Sequence, residues 1–171
     1  MRRIVGITLT GLTVAAALAA CSSSDDAGGT PEASNEPTQD QSSAATGGAE
    51  VATAKTSLGT IVVDGKGMTA YYYDKDEPNS GSSVCTADCA AAWPAIEAAS
   101  ATPTVDGITG KVGTITGTDG NLQVTIEGRP IYTYAGDSKA GDVTGQGVGG
   151  IWYVVAPDGK ELTSGGDTGG Y

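Results

Sequence analysis

The chain predicts a mainly β domain of two tandem β-rich repeats, the first carrying a short helical turn clamped by a disulfide. Three observations lead there. β-Branched runs alternate with Asp-Gly and Glu-Gly turn pairs over residues 60–64, 111–120 and 122–128. One pattern occurs twice: Gly67, Tyr71, Tyr73 and Asp76, then Gly128, Tyr132, Tyr134 and Asp137, with identical internal spacing. Each copy is followed by a tryptophan, Trp93 at 22 residues after Tyr71 and Trp152 at 20 after Tyr132.

The elements follow in order. Residues 60–63 pass through Asp64, Gly65, Lys66 and Gly67 into residues 68–73, a β-hairpin pattern. Residues 85–93 hold Cys85, Cys89 and an alanine run, which suits one or two helical turns stopped by Pro94. Residues 111–116 and 122–126 flank Asp119-Gly120, and Glu127-Gly128 then turns the chain into residues 130–134. Where the first copy has its cysteine-bearing excursion, the second has a glycine-rich passage at 141–150, before a last strand at 151–155. Strand alternation sends Tyr71 and Tyr73 to one face and Tyr72 to the other, as it does Tyr132 and Tyr134 against Thr133. With no Phe in the chain, the aromatic pairs and the two tryptophans are expected to build the core.

Arg2 and Arg3 precede an apolar stretch over residues 4–20 that ends Leu18, Ala19, Ala20 before Cys21. A basic start, a short apolar run and small residues before the cut predict a signal peptide at 1–20. Leu-Ala-Ala-Cys resembles a bacterial lipobox, which implies that Cys21 carries acyl chains and that the partner is the bacterial membrane, reached through that anchor. Residues 22–50 lack aromatic and large aliphatic side chains, so 21–50 is expected to be a lipidated cysteine and a tether, with 51–163 the folded domain and 164–171 a flexible tail. Cleavage leaves seven basic against twenty acidic side chains, a charge of −13. Such a surface is unsuited to nucleic acid.

With Cys21 lipidated, Cys85 and Cys89 form an even pair in an oxidising compartment, which favours a structural disulfide. Thiol cycling or Cu(I) binding is the alternative, giving a redox or metal-handling accessory protein. The chain has no His, no nucleophile elbow and no Lys-Ser/Thr after its glycine run, which argues against zinc enzymes, serine hydrolases and phosphate loops. Asp76 and Asp137 either converge as coupled carboxylates or, as favoured here, accept backbone N–H bonds and hold a turn. Asp74, Asp76 and Glu77, or Asp137 and Asp142 with backbone carbonyls, are the acidic sets open to Ca²⁺. Nothing in the sequence calls for a cofactor.

The repeats at Tyr71/Asp76 and Tyr132/Asp137, the Cys85 to Trp93-Pro94 segment, and the run from Gly136-Asp137 through Gly145-Gln146-Gly147 to Trp152 resemble the bacterial secreted-repeat lipoproteins. The resemblance spans residues 58–157 and the lipobox. It implies a tandem-repeat architecture and a place in the cell envelope, at the outer face of the cytoplasmic membrane, while leaving the biochemical role open. One departure is Tyr73, where the pattern leads to the expectation of Phe, a change that bears on packing. The expected role is non-catalytic binding or envelope organisation, with an envelope protein or a small molecule as partner.

Overall fold

A computed structural model describes residues 48–163. The expected signal segment, Cys21, most of the tether and the tail at 164–171 lie outside the described residues. Among the described residues, seven strands, one helical turn and a short 3-10 turn at Val148–Gly150 follow one another: β1 Val51–Thr56, β2 Gly59–Asp64, β3 Tyr71–Tyr73, α1 Asp88–Ala92, β4 Val112–Thr116, β5 Leu122–Ile126, β6 Arg129–Pro130 and β7 Trp152–Val154. The domain is mainly β, and the Cys85–Cys89 disulfide brackets its helical turn with the two Cα atoms 5.2 Å apart. All strand pairs are antiparallel: β1 with β2, β4 with β5, β5 with β6, and β3 with β7.

Local chemistry makes the hairpins. Asp64 Oδ1 accepts the N–H groups of Lys66 and Met68 at 2.9 and 2.8 Å, closing the turn after β2. Between β5 and β6, Glu127 and Gly128 both adopt positive φ, 51° and 75°, the mirror-image turn that matches strand twist. The hairpins β1–β2 and β4–β5 correspond, with Val51 opposite Asp64 in one and Val112 opposite Ile126 in the other.

Beyond each turn the chain departs from the simple hairpins expected. Past the first turn, pairing back onto β2 is limited to a bridge between Val63 and Thr69 and two flanking bonds, Asp64 N–H to Met68 and Ala70 N–H to Val62. β3 then leaves its own repeat and pairs with β7, which belongs to the other. In the second repeat β6 likewise ends at Pro130, and Tyr132 bridges Tyr71 and Ala95 of the first repeat. The physical reason is that each hairpin is amphipathic but thin, and its aromatic strand buries more surface against the opposite repeat than alone.

Two rings of backbone bonds record the exchange. Val62 N–H donates to Val155 at 2.9 Å, Val155 to Ala70 at 3.0 Å, and Ala70 to Val62 at 3.0 Å. Val124 donates to Ile96 at 2.8 Å, Ile96 to Ile131 at 3.1 Å, and Ile131 to Val124 at 3.1 Å. Each ring takes two segments from one repeat and the third from the other, so the repeats are intertwined about an approximate two-fold axis. One apolar cluster, with Val51, Val62, Tyr72, Val124, Ile126 and Ile131, lies on one side; the other gathers Ile61, Val63, Tyr71, Trp93, Tyr132 and Trp152.

The connection between repeats is stapled by Glu50, whose carboxylate accepts the N–H groups of Ala99 and Thr104. Those backbone bonds hold its pKa below the usual carboxylate value. Residues 101 and 102, between these points, are exposed. Cutting the chain there is expected to give two halves that are unfolded separately and regain structure when mixed, because each half supplies strands the other lacks. Near-ultraviolet circular dichroism of the tryptophans checks this; a half that gives the native spectrum alone contradicts it.

Candidate functional site

Tyr71 and Tyr132 sit where the two repeats meet. Their backbones exchange bonds, Tyr71 N–H to Tyr132 C=O at 2.8 Å and the reverse at 3.0 Å. Alternation along the strand then throws both rings to the same side, where they meet the tryptophans. Tyr72 points the other way, donating from its hydroxyl to the carbonyls of Ile126 (2.9 Å) and Gly159 (3.2 Å) under the guanidinium of Arg129.

Trp93 and Trp152 lie face to face across the approximate axis, centroids 3.8 Å apart and planes within 3°. Tyr73 stacks on the outer face of Trp152 at 4.2 Å and Tyr134 on that of Trp93 at 4.2 Å, so four rings run in the order Tyr73, Trp152, Trp93, Tyr134. Tyr71 meets Trp93 edge-on at 5.4 Å, and Tyr132 meets Trp152 edge-on at 5.4 Å. The indoles are buried; Tyr73 and Tyr134, the ends of the stack, are half-buried.

The paired aspartates close this arrangement crosswise. Tyr71 of the first repeat donates to Asp137 Oδ2 of the second at 2.8 Å, and Tyr132 of the second donates to Asp76 Oδ2 of the first. The other oxygens hold the loops that follow: Asp76 Oδ1 accepts Val84 N–H at 2.7 Å, and Asp137 Oδ1 accepts the N–H and hydroxyl of Thr144 at 2.9 and 2.6 Å. The aspartates therefore take backbone N–H bonds, though from seven and eight residues on, and each has the other repeat's phenol as a second partner. Ser83 hydrogen-bonds the Tyr132 hydroxyl at 2.7 Å, and Gly145 N–H donates to the Tyr71 hydroxyl at 3.2 Å. Sequence reasoning missed Ser83 and Thr144. The available signal was a hydroxyl side chain seven positions after each aspartate.

Gly145 is buried because the rings leave no room beside it: a Cβ there would stand 2.8 Å from the Tyr71 ring and 2.9 Å from Trp93. In the first repeat Cys85 is buried within the same aromatic cluster.

Burial, then the bond to Asp137, pushes the Tyr71 hydroxyl pKa far up; burial, then the bond to Asp76, does the same to Tyr132, and burial also raises Tyr72. Below the ordinary phenol pKa of about 10, folded and unfolded chains both keep these protons. Above it the unfolded chain releases protons that the folded chain holds, so stability falls as pH rises. Urea midpoints measured from about pH 8 to about pH 11 are expected to be level and then drop beyond the ordinary phenol value. A level curve throughout contradicts the burial of these hydroxyls.

Asp74, Asp76 and Glu77 are not assembled into a metal-binding group: among the described residues, no cluster of three or more His, Cys, Asp or Glu is placed to hold a metal ion. Asp74 turns instead to Arg129, which also pairs with Glu161. Burial and the neighbouring Glu161 raise the Asp74 pKa. Outside the core, a surface depression of about 450 Å³ is lined by Asp64, Lys66, Pro94, Glu97 and Thr133 among others. Among the described residues no helix is long and apolar enough to cross a membrane.

No curated protein and no solved structure matches the chain. The profile of a family named as a lipoprotein and described as a secreted repeat of unknown function matches residues 52–97 and again residues 113–156. These two matches divide the chain as the backbone rings do, with one copy on each side of the Tyr71–Tyr132 bridge, and together they take in more than half of it. The chain belongs to the secreted-repeat lipoprotein family.

Proposed function

We propose that this is a lipid-anchored protein of the outer face of the bacterial cytoplasmic membrane, acylated at Cys21, whose folded domain is a non-catalytic binding or envelope-organising unit. The observation that carries the reading is the use of the repeat motif itself. Both tyrosine hydroxyls and all four oxygens of Asp76 and Asp137 are engaged in internal bonds, so the shared residues of the family act as scaffold. What varies between the copies, the cysteine-clamped turn and the glycine loop, is then where a partner would be chosen. The disulfide supports a staple better than a thiol couple, since Cys85 is 1% exposed and packs with Trp93 and Trp152.

The test is envelope fractionation with intact mass. The wild-type protein should sediment with membranes at the mass of a chain starting at acylated Cys21, and Cys21→Ser should appear unacylated and retain or lose its signal segment without gaining lipid. Cross-linking in intact envelopes should capture a partner from wild type, and capture should persist under mild reduction. A non-acylated wild-type chain overturns the anchor, and capture that depends on free Cys85 and Cys89 thiols overturns the staple role of the disulfide in favour of the accessory-protein alternative.

A further inference from the structure

We propose that the stacked indoles Trp152 and Trp93, flanked by the rings of Tyr73 and Tyr134, are a one-electron relay that ends at the two phenol–carboxylate pairs, Tyr71 with Asp137 and Tyr132 with Asp76. Electron exchange between aromatic rings depends on orbital overlap, which falls steeply with separation. Here every step is a van der Waals contact: 4.2, 3.8 and 4.2 Å along Tyr73, Trp152, Trp93 and Tyr134. The half-buried ends give an oxidant in solution access, while the indoles between them are shielded.

The edge-on tyrosines supply what the stack lacks. An indole gives up an electron and can keep its proton, whereas a phenol that loses an electron becomes a strong acid and must lose its proton at once. Proton transfer needs an acceptor already within hydrogen-bond reach. Asp137 stands 2.8 Å from the Tyr71 hydroxyl, and Asp76 is bonded to Tyr132. Tyr72 is the built-in contrast: its hydroxyl is equally buried, but it donates to the carbonyls of Ile126 and Gly159, which take no proton, and its ring lies outside the stack.

The step balances without a bound cofactor. A one-electron oxidant of the radical class takes an electron from the stack and is reduced to its anion. The indole cation left behind takes an electron from Tyr71, the phenol O–H bond breaks, and the proton forms an O–H bond on Asp137. A neutral phenoxyl radical and a neutral carboxylic acid result. A thiolate from solution returns one electron, becoming a thiyl radical, and the proton moves back from Asp137 to the phenoxyl oxygen. Tyr132 and Asp76 do the same on the other side.

The test is pulse radiolysis of the purified, disulfide-intact protein with the azide radical as oxidant, followed by transient absorption. The indolyl band should decay as the phenoxyl band grows, at a first-order rate independent of protein concentration. That rate should fall several-fold in Tyr71→Phe/Tyr132→Phe, remain unchanged in Tyr72→Phe, and slow in D₂O. Conversion that scales with protein concentration, or that persists at full rate in the double variant, overturns the relay and leaves the stack as packing alone. Should the double variant lose its near-ultraviolet spectrum, the unaltered protein still decides: no slowing in D₂O refutes proton transfer to the aspartates.

Discussion

Trp152→Ala is expected to lower the unfolding free energy by about 3–5 kcal/mol, the cost typical of emptying a buried indole site. Trp152 lies face to face with Trp93 and Tyr73 and accepts the edge of Tyr132, so its removal takes one contact surface from each of three rings. Each such ring pair contributes about 0.5–1.5 kcal/mol beyond the area it buries. The cavity also lies on the approximate axis between the repeats, where neither half can collapse into it without breaking the exchanged strands. Urea denaturation followed by circular dichroism measures the loss. Trp152→Phe should recover part of it by restoring a stacked ring, and a Trp152→Ala cost below about 1 kcal/mol would show that the stack is not what joins the repeats.

Asp137→Ala should be the most costly single change to a polar side chain. It removes the acceptor of three donors at once: the Tyr71 hydroxyl, the Thr144 N–H and the Thr144 hydroxyl. A buried donor left without an acceptor, as the Tyr71 hydroxyl would be, costs about 1–3 kcal/mol, and bonds to charged acceptors stand at the upper end. Tyr71→Phe removes only the first of the three and should cost less than Asp137→Ala, about 1.5–3 kcal/mol. The double variant should cost less than the sum of the two, because the shared bond is lost only once. Strict additivity in that cycle would mean that the crosswise bond between repeats adds nothing to stability.

The strands around the Asp-Gly turns were legible because they are local: alternation and turn chemistry reside in adjacent residues, and Val112–Thr116 and Leu122–Ile126 lie where the pattern put them. The helical turn was legible for the same reason, from Cys85, the alanines and Pro94. Partner choice was not. Nothing in the sequence around Tyr71 says that its strand will pair with Trp152 and not with its own hairpin, since both choices satisfy the same alternation. Asp76 and Asp137 show the limit most clearly. Their duplication was visible, and so was a role in holding the following loop, but a side chain's second partner is fixed by three-dimensional symmetry and leaves no mark at short range. β1 also escaped notice, since the 51–56 run has alanine and lysine among its β-branched residues and gains its place only by pairing with β2.

Because each half is completed by strands from the other, a protease meets this domain in one of two conditions. Either every backbone segment of the core is held in place, or the whole of it is open to cutting, because a repeat whose neighbour has come apart loses the strands that complete it. Turnover of such a protein should therefore track its global unfolding equilibrium, and, apart from a nick in the exposed 101–102 connection that leaves both halves folded together, partial digestion should yield full-length material and small peptides.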